Sequence, residues 1–112
     1  MQIIKVKQQQ IADTPHKVAV KPLFAFEHAA LVHIELKPGE QVKKHITPVD
    51  VFFYILEGTG EVTIGEETQP VHQDDLVVSP KKIAHQLRNT STANFRFLVI
   101  KVPKPTEETK IL

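Results

Sequence analysis

The sequence has no cysteine, four glycines and a single methionine among its 112 residues. Without thiols it can form no disulfide, zinc ribbon, iron–sulfur cluster or thiolate nucleophile. No glycine-rich loop of the phosphate-cradling kind occurs, and the few glycines read as turn residues. Charge of one sign is also lacking: 14 Lys and Arg against 13 Asp and Glu leave a net +1. Lys43-Lys44 and Lys81-Lys82 are isolated pairs, and Arg88 and Arg96 are the only guanidinium groups. That balance argues against nucleic-acid binding, which needs a basic excess to neutralise phosphates. No apolar run approaches the roughly 18 residues of a membrane span. Met1-Gln2-Ile3-Ile4-Lys5 lacks the charged-then-apolar layout of a secretory signal. The expectation is a cytoplasmic protein without a membrane partner.

What is abundant sets the class. Val occurs 13 times, Ile 10 and Thr 9, and β-branched side chains favour the pleated surface of a sheet. Eight prolines leave little room for long helices. Short apolar runs between turn signals predict one all-β domain over residues 1–112, a sandwich or barrel, with a loosely held Pro-, Glu-, Thr- and Lys-rich tail over 103–112.

Alternation suggests an edge strand over Ile4–Gln8 and a short strand over Lys17–Lys21 closed by Pro22. Val32, Ile34 and Leu36 read as inward, with Leu31, His33 and Glu35 outward. Pro38-Gly39 is a turn, Gln41–Thr47 is strand-like, and Val51–Leu56 is the strongest strand. Gly58-Thr59-Gly60 turns the chain into Glu61–Ile64, and Thr68–His72 pairs with it. Leu76–Val78, His85–Asn89 and Phe95–Val102 complete the set. Two of these strands, Val51–Leu56 and Phe95–Ile100, are apolar on both faces. An antiparallel sheet normally shows one face to water, so they require a second cover. Another copy of the chain, forming a symmetric homodimer, is the economical choice; the tail or N-terminal arm is the alternative.

Six histidines are the informative candidates for a site. His16 and His28 read as solvated loop residues, His33 as surface or interface, and His72 as a turn residue. His45 and His85 differ. If His45, Thr47, Val51, Phe53 and Ile55 face inwards with His85 and Leu87, two imidazoles share a mostly apolar cavity, which suits a small ligand.

At this point the spacing resembles the cupin superfamily, small barrels of the double-stranded β-helix, or jelly-roll, type. In the first family motif, Gly39 is followed by five residues and His45, and Gly58 closes the stretch. In the second, Pro80, His85 and Asn89 stand at matching offsets. Thr47 occupies the place of the second motif histidine and Val51 that of the glutamate, while Asp74 and Lys82 replace two glycines. The resemblance implies a divalent transition ion, whether zinc, nickel, copper, manganese or iron, bound by three His and one Glu; here only His45 and His85 remain as metal ligands. Two imidazoles with water hold zinc, copper or nickel weakly, and an iron site of oxygenase type lacks its carboxylate. Asp50, one step from the glutamate position, reaches the cavity only through a bulge.

Three functions follow. The first is a small-molecule-binding cupin whose polar or anionic ligand meets His45, Thr47 and His85, with Val51, Phe53, Ile55 and Leu87 as the apolar wall. The second is a metal-dependent enzyme of isomerase, decarboxylase or dioxygenase type with a reduced ligand set. The third, metal-free acid–base catalysis, lacks an acidic or phenolic partner at an inward position, since Tyr54 alternates away from Phe53.

Overall fold

The computed structural model describes residues 1–112 as two five-stranded sheets packed face to face. Ten strands follow in chain order: β1 (Ala19–Phe26), β2 (Ala29–Leu36), β3 (His45–Ile46), β4 (Asp50–Glu57), β5 (Thr59–Ile64), β6 (Glu67–His72), β7 (Leu76–Ser79), β8 (His85–Arg88), β9 (Phe95–Val102) and β10 (Lys110–Ile111). One sheet has the order β1-β2-β9-β4-β7 and the other β10-β3-β8-β5-β6, all neighbours antiparallel. This is the all-β, double-stranded β-helix barrel that the motif spacing implies.

Period-two alternation builds the interior. Val51, Phe53 and Ile55 of β4 and Phe95, Phe97 and Val99 of β9 point inwards from adjacent strands, in register through Phe53↔Val99 and Ile55↔Phe97. Leu36, Val62, Val71 and Leu87 close the core from the remaining strands. Each such side chain contributes about 1.5–3 kcal/mol of transfer free energy. Proline is confined to sheet margins: Pro22 lies in β1 and Pro70 in β6, both edge strands, where a missing N–H costs no ladder bond.

Several local expectations are corrected. Ile4–Gln8 is not a strand; Val6–Gln8 forms one 3-10 turn, with Gln8 and Gln9 donating to the Lys5 and Val6 carbonyls. β1 runs through Pro22 instead of ending there, and its register shifts between Pro22 and Phe24. Gly60 lies inside β5, not in a turn: a Cβ there would stand 2.6 Å from both the Arg88 carbonyl oxygen and the Phe95 ring. The tail, expected to be loosely held, returns to the barrel, where Lys110 and Ile111 pair with β3. Leu112 N–H donates to the Lys44 carbonyl at 3.0 Å.

Candidate functional site

Between the sheets lies a cavity of about 520 Å³. Val20, Pro22, Val32, Ile34, Val42, Phe53, Leu87, Phe97 and Val99 form its apolar body. His16, His45 and Lys101 form a polar end, roofed by Thr14-Pro15 from the N-terminal segment and by Glu108, Thr109 and Ile111 from the tail. A body of apolar side chains with a few convergent polar groups is the usual architecture of a small-molecule site. A second depression, about 320 Å³ between β6 and β7, is lined mainly by aliphatic side chains and holds no imidazole or ammonium group.

His45 and His85 meet across the β3–β8 pairing, their Nε2 atoms 2.9 Å apart and their rings in edge contact. The surrounding bonds fix both tautomers. The Lys43 carbonyl, 2.6 Å from His45 Nδ1, can only accept, so that nitrogen carries the proton and His45 Nε2 is an acceptor. His85 Nε2 must therefore be the donor, with Thr47 Oγ1 a second neighbour at 3.2 Å. His85 Nδ1 is then left to accept from the Ser79 hydroxyl at 2.7 Å. A directed chain runs from Ser79 through His85 and His45 to the Lys43 carbonyl, and both rings are neutral. Burial drives the His85 pKa down to about 3, helped by His45, Lys101 and His16. His45 is also lowered by burial, partly opposed by its bond to the Lys43 carbonyl.

The expected site residues divide into three groups. His45, Phe53 and Leu87 line the cavity. Thr47 and His85 are buried behind the lining, with His85 bonded to His45 and in edge contact with Phe53. Val51 and Ile55 face inwards but are sealed in the core, 1% and 0% exposed, and form no part of the cavity wall. Two residues were overlooked. His16, read as a solvated loop residue, lies against His45 with ring centroids 4.8 Å apart, and its Nδ1 accepts from the Lys43 N–H at 2.8 Å. Burial lowers its pKa to about 4. Lys101 continues the inward row Phe95, Phe97, Val99, and that alternation was the available signal. His33 is a further correction. It faces outwards as expected, yet it is 2% exposed beneath Arg96, whose Nη1 donates to its Nε2 at 2.8 Å.

The donor set does not reproduce the metal site that the resemblance implies. Two nitrogens on one ion at about 2.1 Å stand about 3.0 Å apart when cis, so the His45–His85 spacing alone would suit a metal. However, no group of three or more His, Cys, Asp or Glu side chains converges there. Asp50 is exposed and spends Oδ1 on the Lys81 N–H at 2.9 Å, away from the cavity. An ion would also displace the proton on His85 Nε2 that joins the rings. The bonds of His45 and His85 are complete without a metal.

A family profile described as a cupin domain matches residues 32–101. The chain belongs to the cupin domain family. Among curated relatives of this cupin, the uncharacterized protein MJ0764 of Methanocaldococcus jannaschii is 32% identical over 89 residues, covering 77% of this chain and 75% of the relative. CurC, a polyketide synthase protein of Streptomyces cyaneus, is 32% identical over 75 residues, covering 63% of this chain and 49% of its own length. Among solved structures, TT1209 of Thermus thermophilus superposes with a TM-score of 0.80 at 30% identity, over 94% of this chain and all of that one. No helix of the cupin is long and apolar enough to cross a membrane.

Proposed function

We propose that this cupin binds a small molecule in the cavity between its sheets, beside the His45–His85 pair. The observation that carries the reading is the 520 Å³ space ending on His45, with aliphatic and aromatic walls and unpaired polar groups at one end. His45, Phe53 and Leu87 contact the guest directly, while Thr47 and His85 fix the tautomer and orientation of His45. Heteronuclear NMR of the labelled chain against a library of small polar and anionic compounds tests it. Shifts are expected at His45, Phe53, Leu87 and Val99 for at least one compound class. Shifts confined to the β6–β7 depression would overturn the reading.

A second reading is favoured by the 2.9 Å approach of the two Nε2 atoms. It is a metal-dependent enzyme in which His45 and His85 are the only protein ligands to a divalent transition ion such as zinc, nickel, copper, manganese or iron. The relative named a polyketide synthase supports an enzyme of some kind. Elemental analysis of the purified chain separates the two readings. The binding module predicts metal well below one ion per chain. The enzyme predicts about one ion, abolished by His45→Ala or His85→Ala.

The same chain supports a homodimer. Phe52, Tyr54 and Leu56 of β4 and Leu98 and Ile100 of β9 share the outer face of one sheet and remain half-buried, flanked by Leu76 and Val78 at 58% and 59% exposure. The N-terminal turn is tied to β1 of that sheet, where Lys21 Nζ donates to the Val6 carbonyl, and the tail pairs with the other sheet. A second copy packed on this face would supply the cover. Sedimentation should give twice the 12.7 kDa chain mass at micromolar concentration, and a clean monomer would exclude this interface.

A further inference from the structure

Three groups on the polar end of the cavity, on Thr14, His16 and Lys101, are donors without acceptors, whereas both nitrogens of His45 are paired. Lys101 is half-buried, and none of the ion pairs in the molecule includes it. The lysine ammonium groups that do hydrogen-bond are those of Lys17 and Lys21. Because His16 Nδ1 accepts from the Lys43 N–H, the proton of that neutral ring sits on Nε2, a donor with no partner. The Thr14 hydroxyl, on the same lining, is buried and unpaired. Lys101 shares the cavity lining with Thr14, His16 and His45. Glu108, the single carboxylate on the lining, is exposed and forms no ion pair with Lys101.

Burying an ammonium without a counter-charge is costly, and burial lowers the Lys101 pKa accordingly. An arriving anion removes that cost and satisfies the neighbouring donors at once. We infer that Thr14, His16 and Lys101 form an anion subsite, and that the guest of this cavity is an amphipathic monoanion of the aryl or branched-alkyl carboxylate class. The single ammonium on the lining sets the charge at one, and Glu108 at the rim opposes a second negative group. The apolar body of the guest lies between Val32, Phe53, Phe97 and Val99, and its carboxylate faces Lys101. This rests on the cavity being the ligand site, and goes beyond it by naming the chemistry of the guest and assigning a role to Thr14, His16 and Lys101.

Titration calorimetry with 2-naphthoate and its neutral analogue 2-naphthamide tests the subsite on the full chain. The wild type is expected to bind the carboxylate at least about tenfold more tightly than the amide. Lys101→Met should erase that preference by weakening the carboxylate at least about tenfold relative to the amide, and Lys101→Arg should retain it. Equal affinity of the two probes for the wild type, or a preference that survives Lys101→Met, would overturn the anion subsite and leave the cavity reading standing. Binding of neither probe, or binding unaffected by blocking the apolar body with Val99→Trp in a chain that keeps its folded spectrum, would overturn both. The wild-type ratio decides the matter by itself if Lys101→Met does not fold.

Discussion

His85 and Asn89 are both buried polar side chains, one opening β8 and the other just past its end, yet the protein treats them in opposite ways. Asn89 is anchored to a single loop and strand end: its amide donates to the Leu36 and Ala93 carbonyls at 2.9 and 2.8 Å, and its Oδ1 accepts from Ser91 N–H and Oγ–H at 2.9 and 2.7 Å. Every hydrogen-bonding valence is used, mostly on backbone. His85 bonds only to side chains, Ser79, Thr47 and His45, and the chain of bonds ends at a cavity wall. A polar group locked to backbone holds architecture together. One linked to other side chains, each able to rotate or change tautomer, can respond to a guest.

The largest effect should come from breaking the architectural side of this contrast. Asn89→Leu leaves two carbonyls and an N–H without their partner, and should cost about 3–5 kcal/mol in urea unfolding. A loss under about 1 kcal/mol would show that the loop satisfies itself and that Asn89 is no anchor.

A third case lies between the two. His33 is buried on the outer face with Nε2 bonded to Arg96 and Nδ1 without a partner. Burial, with Arg96 and Lys21, lowers its pKa to about 4 from the ordinary 6.5. The unfolded chain therefore takes up the proton first as the solution is acidified. Stability is full above about pH 6.5 and falls between 6.5 and 4, by about 1.4 kcal/mol per pH unit for this ring. The pH dependence of Tm should be flatter in this window for His33→Gln, and an unchanged slope would remove His33 as a source of acid lability.

On the responsive side, His45→Ala should reduce stability by no more than about 1 kcal/mol, because the ring is only half-buried, while weakening cavity ligands about tenfold. Equal losses in stability and binding would erase the distinction drawn above. The smallest effect concerns Lys82, in the turn that leads towards His85. It has φ of +64°, a left-handed conformation that suits glycine. Lys82→Gly should raise unfolding free energy by up to about 1 kcal/mol with cavity binding unchanged. A lowered midpoint would mean that the lysine stem contributes more than its backbone strain removes.

Much of this was legible in the residues, and the failures have physical causes. The inward rows of β4 and β9 follow from strict alternation, as do the fold and the meeting of His45 with His85 once the cupin spacing is recognised. Asp74 and Lys82 stand where the family pattern has glycine, and both keep positive φ, +71° and +64°: the turn geometry is retained although the residue type is not. Val51 and Ile55 were correctly placed inwards, but alternation cannot separate a side chain that faces core from one that faces cavity. Lys101 obeyed the alternation and was hidden by the apolar run before it. His16 left no local signal. It reaches His45 because the Lys43 N–H, distant in sequence, bonds to its ring, and only the folded path of the N-terminal segment creates that contact.

The short pairing of β10 with β3 has a practical side. Glu108, Thr109 and Ile111 flank the cavity mouth and are held by one two-residue ladder and the terminal Leu112 bond. Any fusion or purification handle appended after Leu112 would hang beside that doorway. An extension placed before the exposed Met1 serves as the comparison, and ligand capture by the two designs would reveal how far the last few residues govern entry.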